Sequence, residues 1–384
     1  MTLLTVDIVD DLVRNINEYA AEKIMKYTPM RKASPFSRWE DITREDFFRF
    51  LSVVIAMGLT PKGDVKDYWS TTPHKYTPWF GLAFSRTKVL LIFQSMLHVA
   101  QPDAQGKAKI EPFISALLGR FQAAFYPYEN VSIDEMVIGF KGRFHAKQYN
   151  SKKPKKYHIK TFGICDSITG YCYDLFVYYG ADTAYVPEAD PNSQAAIKVF
   201  ANLLRNLNGK HHIFADRFYS SLPLVTFLQS KNLNYTGTVD ARRVGLPPQL
   251  KETETQVGSP RWFLHDDMQV MCVSWKDSKS KKPCVALSTF GSSTYVTRQE
   301  GLRPDVVKPS IIHSYNQMMN GCDRMDQLVA YYGGHSRKTM KWWKKTFSWI
   351  LEVTQVNAHI LHVLSHPNER KKITLSSFKD IHNL

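Results

Sequence analysis

Apolar residues recur at helical spacing through the first 130 residues of the chain. Ile8, Leu12 and Ile16 lie four positions apart, which places them on one face of a helix. Thr43 precedes a denser stretch of the same pattern and belongs to a residue type that favours a helix N-cap. This part of the chain is therefore predicted to be mostly helical, with helices over Arg44–Met57, Ser85–Val99 and Pro112–Phe125.

Beyond residue 130 the apolar pattern changes to the shorter runs and alternation that predict strands. Strands alternate with helices along this stretch, and that order is typical of an α/β fold. The predicted elements are strands Val131–Phe140, Tyr157–Asp166 and Tyr171–Tyr179, helix Asn192–Leu207, strand His211–Asp216, helix Ser221–Ser230 and strand Asn234–Val239.

A β-rich interval follows at residues 240–309, with turn-forming loops between strand-like runs at Arg261–Leu264, Val270–Trp275 and Val285–Phe290. Helical patterns return at Ser310–Ala330 and Lys341–Leu364. Because α/β elements flank the interval on both sides, we interpret it as an insertion that splits one α/β unit.

The net charge of the chain indicates which kind of partner it binds. The 384 residues contain 50 Lys+Arg against 35 Asp+Glu, a net charge of +15, which favours a polyanionic partner. No apolar run approaches the ~20 residues that a membrane span needs, and the amino-terminal sequence has no signal-peptide pattern. The five cysteines are scattered without a C-x-x-C pair, which argues against a disulfide framework and indicates a reducing, intracellular compartment.

Acidic residues stand in apolar settings at three places. Asp134 lies inside a predicted strand, Asp216 ends another, and Asp323 begins a helical motif with Asp326 one turn later. Each acid could be a structural residue, satisfied by backbone donors or an ion pair. If the fold gathers them, they need cations, and Mg²⁺ is the natural partner of carboxylate oxygens.

Two basic tracts accompany the acids, and the second of them is interleaved with tryptophans. A solvated face is one interpretation, while cations with aromatic rings also suit nucleic acid, where they meet phosphates and bases. The tracts comprise Lys141, Arg143, Lys147, Lys152, Lys153, Lys155, Lys156 and Lys160, then Arg337, Lys338, Lys341, Trp342, Trp343, Lys344 and Lys345.

Three ordered blocks resemble the piggyBac family of DNA transposases, within the DDE/DDD superfamily. Tyr315–His362 contains Tyr-Asn, Asp-x-x-Asp-Gln, Tyr-Tyr and Ser-Arg-Lys-Thr-x-x-Trp-Trp in the family's order. Val131–Arg143 is similar to the first catalytic strand of the family, and Ala215–Val239 to the second. The resemblance extends from about residue 8 to the end of the chain.

The resemblance implies an RNase H-like catalytic core in which Asp134, Asp216 and Asp323 hold two Mg²⁺ ions, with Mn²⁺ as a possible substitute and Asp326 as an auxiliary carboxylate. It implies a Trp342 that supports distorted DNA ends, double-stranded DNA as partner, a homodimer and a nuclear location. The implied activity is cut-and-paste transposition: strand nicking, hairpin formation and joining at TTAA.

The corresponding domains are residues 1–130 and 331–384 (helical, for dimerisation and DNA binding, the second of them truncated), 131–239 and 310–330 (catalytic core), and 240–309 (β-rich insertion).

Departures from the family pattern leave alternatives open. Arg217 replaces the usual Asn, Asn320–Cys322 replaces Gly-Gly-Val, and no Cys/His-rich end-binding domain follows, so no zinc is expected in this chain. The chain is interpreted as a trimmed core or a member that lacks that domain. A domesticated DNA-binding or chromatin protein without transposition activity is the main alternative, and a structure-specific nuclease is a more remote one. His359, His362 and His366 share a helical face, but a metal site there is the less favoured interpretation.

Overall fold

The computed structural model describes residues 3–31, 34–187, 193–252, 254–278, 282–300, 303–331, 333, 339–369 and 373–381. The chain forms two compact units. The helical unit comprises Met1–Phe125, Ile138–Ile159 and Gln327–Leu384, and the sheet unit comprises Tyr126–Val137 and Lys160–Asp326.

The helices are α1 Val6–Lys26, α2 Arg44–Leu59, α3 Pro78–Ala83, α4 Arg86–Leu90, α5 Glu111–Ala124, α6 Ala195–Leu204, α7 Leu222–Ser230, α8 Gln249–Glu252, α9 Ser310–Met318, α10 Gly321–Tyr331, α11 Trp342–Ser365 and α12 Leu375–Ile381. The strands are β1 Asn130–Gly139, β2 Gln148–Tyr149, β3 Tyr157–Asp166, β4 Cys172–Val177, β5 His212–Ala215, β6 Asn234–Thr238, β7 Arg261–His265, β8 Val270–Trp275, β9 Cys284–Ser288, β10 Tyr295–Glu300 and β11 Arg303–Pro309. No helix within the described ranges is both long and apolar enough to cross a bilayer.

In the helical unit, the start of α2 confirms the predicted N-cap. The Thr43 hydroxyl accepts the amide of Asp46, and the Asp46 carboxylate accepts the amide of Thr43, both at 3.2 Å. This reciprocal capping box satisfies two amides that the first turn of a helix leaves unpaired. The helix then buries Phe47 and Phe50 in the core of the unit.

Helix α11 is the most buried element of the helical unit. Trp343, Phe347 and Val353 are each at most 5% exposed, and polar residues of the same helix are buried with them. The Glu352 carboxylate forms an ion pair with the ammonium of Lys379 on α12 at 2.6 Å, out of contact with solvent. A helix that is covered on most sides in this way packs as a core element.

One mixed sheet of nine strands runs in the order β2-β3-β1-β5-β6-β9-β8-β7, with β4 paired to β3. Strands β1, β5 and β6 are parallel, whereas β6, β9, β8 and β7 pair antiparallel. One sheet face buries Val131, Ile133 and Ile213 in a core shared with α6 and α7. A smaller core forms around Ile311 and Ile312 of α9.

The strands of the β-rich interval extend this central sheet. Strand β9 pairs with β6, and β8 and β7 continue outward from it, while β10 and β11 form a separate two-stranded ribbon. The predicted strands β7 to β9 are confirmed, whereas β10 and β11 of the ribbon were not predicted.

The single helix predicted over Ser310–Ala330 is wrong, because it is two helices separated at Met319 and Asn320. Gly321 begins the second helix close to β1. A Cβ atom at this position would lie 2.5 Å from Ser132 Oγ and 3.0 Å from the carbonyl oxygen of Asp166. The break allows α10 to approach the sheet at a point where only glycine fits.

Candidate active site

Asp134 and Asp216 lie side by side at one edge of the central sheet. In the parallel pairing of β1 with β5, the last matched residues are Ile133 and Ala215. Asp134 and Asp216 directly follow these partners on neighbouring strands, and both side chains are half-buried. We call this pair the acidic sheet edge. Asp216 stands at the carboxyl end of β5, a place where ligands commonly bind in open α/β sheets, and Asp134 is its neighbour within β1.

Local hydrogen bonds fix the backbone around both acids. The Asp216 carboxylate accepts the amide of Phe218 at 2.8 Å, which turns the chain away from the sheet directly after β5. The Asp134 carboxylate accepts the amide of Glu135 at 2.7 Å. The acids are therefore oriented by the chain that immediately follows them.

Asp323 lies in the first turn of α10, next to a residue that is attached to β1. The amide of Cys322 donates to Ser132 Oγ at 3.2 Å, and Ser132 precedes Asp134 by two positions on the same face of the strand. The Asp323 side chain is exposed. One turn later, the Asp326 carboxylate accepts the amide of Val137 at 3.2 Å. The helix that carries Asp323 and Asp326 is thus held to β1 on both sides of Asp134.

Two tyrosines also lie at the acidic sheet edge: Tyr219, which was not predicted as a site residue, and Tyr315, which opens the Tyr-Asn motif. Burial, together with the carboxylates of Asp134 and Asp216, raises the pKa of Tyr219 well above its ordinary range. Burial likewise raises the pKa of Tyr315 to about 12, with smaller contributions from the same two carboxylates. Both phenols are therefore neutral hydroxyl groups at neutral pH. The only sequence signal for Tyr219 is its place three residues after a strand-ending acid.

Glu135 is engaged away from the other acids. Its carboxylate forms an ion pair with Lys160, and the Lys160 ammonium also lies over the rings of Phe162 and Phe218, at 4.7 and 5.0 Å from their centroids. The Glu135 carboxylate is thus paired with a cation of this chain, and the pairing removes Lys160 from the exposed part of the first basic tract.

The chemistry of the acidic sheet edge suits a hard divalent cation, since both side chains offer carboxylate oxygens. Across the part of the chain that the structure describes, however, no group of three or more His, Cys, Asp or Glu side chains could hold a metal ion. The pair Asp134 and Asp216 thus fits a cation by register and donor type, while the set of three that includes Asp323 stays a prediction.

In the helical unit, the two basic tracts meet. Arg143 and Lys341 pair through an isolated parallel β-bridge, and the ring centroids of Phe144 and Trp342 are 4.8 Å apart. Charged side chains are exposed on both tracts, and we call this the basic surface: Lys141, Arg143, Lys152, Lys155, Lys156 and Lys341. Lys153 and Trp342 are half-buried, and Arg337 and Lys338 lie outside the described residues.

Lys344 was predicted to bind DNA, and the structure corrects this. Its side chain is buried at 5% exposure, and its ammonium donates to the carbonyl oxygens of Phe93 at 2.8 Å and Gln94 at 3.2 Å. Burial, followed by the positive charges of Lys341 and Lys23, lowers the pKa of Lys344 to about 7. An amine enclosed in this way is not available to a phosphate.

A second lysine, Lys23, binds the same segment as Lys344, the turn that contains Phe93 and Gln94. The Lys23 ammonium donates to the carbonyl oxygen of Ser95 at 2.8 Å, in the Leu91–Met96 turn that follows α4. Lys23 and Lys344 together form what we call the lysine clamp. Cations are stabilising at the carbonyl end of a helix because the helix dipole is negative there.

The histidines of the α11 end are occupied by neighbouring groups. His359 Nε2 contacts the carbonyl oxygen of Ile373 at 3.1 Å, and the rings of His362 and His366 stack at 4.5 Å between centroids.

A family model described as "Transposase IS4", a DDE transposase domain, matches residues 1–359. PiggyBac transposable element-derived protein 2 of Homo sapiens is 24% identical over 369 residues, which cover 92% of this chain and 59% of that protein. PiggyBac transposable element-derived protein 3 of Homo sapiens is 24% identical over 363 residues, covering 90% and 60%. The chain thus spans about three fifths of the length of these relatives.

Among solved structures, a cryo-EM structure of a piggyBac transposase synaptic complex with hairpin DNA matches with a TM-score of 0.83 at 20% identity. The match covers 99% of this chain and 77% of the other, and it shows a shared fold.

The mixed nine-stranded sheet and these matches define the class as a DDE-type transposase domain. Proteins of this class are typically polynucleotidyl transferases and generally use divalent metal ions. The chain belongs to the DDE transposase family described as "Transposase IS4" and has the piggyBac transposase fold.

Proposed function

We propose that this chain is the core of an active cut-and-paste DNA transposase that nicks, hairpins and joins DNA strands in a divalent-cation-dependent reaction, with joining at TTAA. The observation that carries the proposal is the register of β1 and β5, which sets Asp134 and Asp216 side by side. Two acids on adjacent strands of a basic protein suit phosphodiester chemistry better than simple DNA binding, which has no need of clustered carboxylates.

The strand order supports an RNase H-like core for this activity. Strands β4, β3, β1, β5 and β6 lie in that spatial order, with parallel pairing of β1, β5 and β6. We assign residues 240–309 as the insertion and the helical segments at both ends as the dimerisation and DNA-binding parts. A homodimer would hold two DNA ends at once, and a nuclear location agrees with a DNA substrate.

Asp134, Asp216 and Asp323 are the residues that would hold Mg²⁺, or Mn²⁺ in its place. Two such cations supply positive charge for the attacking and leaving oxygens of a phosphodiester. Asp326 acts as a positioning residue in this scheme, because its bond to the Val137 amide holds α10 beside β1. Because no three such acids are grouped closely enough to hold a metal among the described residues, this scheme has Asp323 join the other two acids when cation and DNA bind.

The basic surface is the proposed contact with the DNA backbone. The bridge between Arg143 and Lys341 joins residues from both tracts in one place. Trp342, stacked near Phe144, provides a ring that could support a distorted DNA end. Because phosphate contacts release counterions, binding through this surface should weaken steeply as salt rises.

The test is a cleavage assay on labelled duplexes that carry candidate terminal repeats next to TTAA, with Mg²⁺ or Mn²⁺. Nicked and hairpin products that depend on the cation and vanish in Asp134→Asn would support the proposal. The assay is run with and without an added end-binding domain, since this chain spans only part of its relatives.

A domesticated DNA-binding protein is the second candidate. It is favoured by the lack, across the described residues, of a three-ligand group that could hold a metal. Retention of DNA without any product in Mg²⁺ or Mn²⁺, and with equal affinity in Asp134→Asn, would decide for this alternative.

A further inference from the structure

The hydroxyl of Tyr219 is buried beside the acidic sheet edge without a partner. The residue is 1% exposed, and its hydroxyl makes no hydrogen bond to any residue that the structure describes. An unpaired buried polar group destabilises the folded protein because its hydrogen bonds to water are lost without replacement. Such a group calls for an explanation, and a role at a ligand site is one of the few available.

The Tyr219 ring is held in place by contacts of its backbone and of its ring. Its backbone amide donates to the carbonyl oxygen of Asp216 at 3.2 Å. Phe218 and Phe200 pack against the ring, with centroids at 5.1 and 5.6 Å. A ring enclosed by other aromatic rings has little freedom to turn its hydroxyl elsewhere.

The carboxylates around this hydroxyl have different roles. The backbone bond from Tyr219 to Asp216 places the residue next to the end of β5, which pairs with β1 beside Asp134. After burial, the carboxylates of Asp134, Glu135 and Asp216 raise the pKa of Tyr219 further. Glu135 is already paired with Lys160, whereas Asp134 and Asp216 are the cation ligands of the proposed function.

We propose that Tyr219 is a positioning residue for the cation site, and that its hydroxyl donates a hydrogen bond to the Asp134 carboxylate when a divalent cation binds. The bond would hold one carboxylate oxygen and leave the other directed at the cation. This inference rests on the proposed function. Outer-shell partners of metal ligands typically change metal affinity by about 10–100-fold.

A purely structural tyrosine would behave differently on substitution. Tyr219→Phe keeps the ring and its aromatic contacts, and it removes only the unpaired hydroxyl. Tyr173→Phe is a matched control in the same unit, because Tyr173 is also buried, at 2% exposure, but its hydroxyl donates to the carbonyl oxygen of Asn206 at 2.7 Å.

The experiment measures Mn²⁺ affinity by calorimetry, and unfolding by urea in EDTA, for the whole chain and for Tyr219→Phe, Tyr173→Phe and Asp134→Asn. We expect Tyr219→Phe to weaken Mn²⁺ binding about 10–100-fold while its resistance to urea stays equal or rises. Tyr173→Phe should lose resistance to urea and keep its Mn²⁺ affinity.

Two outcomes would overturn the inference, and they can be told apart. If Asp134→Asn weakens Mn²⁺ binding but Tyr219→Phe does not, the positioning role is wrong and the proposed function stands. If Mn²⁺ binding is the same in Asp134→Asn as in the unaltered chain, the proposed cation site fails, and the role of Tyr219 fails with it.

Discussion

Each of the two units contains side chains of like charge close together, and the two groups differ in what surrounds the charges. In the helical unit, the lysine clamp turns its ammonium groups inward onto backbone carbonyls. In the sheet unit, Asp134 on β1 and Asp216 directly after β5 are half-buried. The buried Lys344 ammonium belongs to the fold, whereas two half-buried carboxylates on neighbouring strands are suited to an external counterion.

The largest effect on activity is expected from a substitution at the acidic sheet edge. Asp134→Asn should lower cation-dependent strand nicking by more than about 100-fold, because a direct ligand matters more than the outer shell. Labelled-duplex cleavage measures the loss, and filter binding checks that DNA retention persists. Glu254→Gln alters an exposed acid of the same unit and should leave cleavage unchanged; equal losses in both variants would contradict the assignment.

A buried charge of the helical unit gives the largest expected effect on stability. Lys379→Met removes the ammonium that forms an ion pair with the buried Glu352 carboxylate and should lower the free energy of unfolding by about 3–5 kcal/mol. Urea unfolding measures the change. The double variant with Glu352→Leu should recover most of the loss, and a double variant as unstable as the single one would argue against the loss of this ion pair as the cause.

The lysine clamp predicts a dependence of stability on pH. Because the pKa of Lys344 is lowered to about 7 in the folded protein, the unfolded chain binds more protons between pH 7 and the ordinary lysine value of about 10.4. Stability should therefore rise with pH through this window, by up to about 1.4 kcal/mol per pH unit. Below pH 7 this contribution no longer changes.

Urea unfolding at several pH values between 6 and 10 checks this rise, and Lys344→Met should flatten it. Lys345 is the comparison, because burial lowers its pKa to about 8, so that Lys345→Met should remove a smaller part of the rise. Burial also lowers the pKa values of Lys23 and Lys341, so these two lysines add to the rise. An unchanged slope in Lys344→Met would show that this amine is not the source.

The smallest expected effect is on the salt dependence of DNA binding, which should respond to exposed lysines and not to buried ones. Replacing Lys152, Lys155 and Lys156 by Gln should reduce the salt dependence of DNA binding by roughly 2 to 3 units of log–log slope, about 0.9 for each phosphate that the protein no longer neutralises. Binding titrations across a range of salt concentrations measure the slope. Lys344→Met should not change it, and an equal change in both variants would erase the distinction between the basic surface and the clamp.

The strands that carry the acids could be predicted because their sequence pattern is local. Asp134 interrupts an apolar strand, Asp216 ends one, and the motif around Asp323 belongs to a recognisable family block. Strand order and register then follow in the structure. The pattern could not show how far Asp323 lies from the other acids, because that depends on where α10 begins.

Long-range packing explains what the sequence could not show. Lys344 stands in a run of basic residues, and nothing near it in sequence indicates that its partners are the carbonyls of Phe93 and Gln94. The ribbon of β10 and β11 was missed because its sequence is rich in polar and charged residues. The helix break before Gly321 likewise reflects contact with Ser132, which is far away along the chain.

The pairing of β9 with β6 ties the β-rich interval to the architecture of the whole sheet. Strand β9 pairs with β6 through Ala286, Leu287 and Ser288, which lie opposite Thr238, Gly237 and Thr236. Removal of the interval would therefore leave the backbone N–H and C=O groups on that side of β6 without a neighbouring strand. An open strand of that kind invites association with other chains. Deleting the interval would therefore leave β6 with an open edge that favours aggregation of the protein.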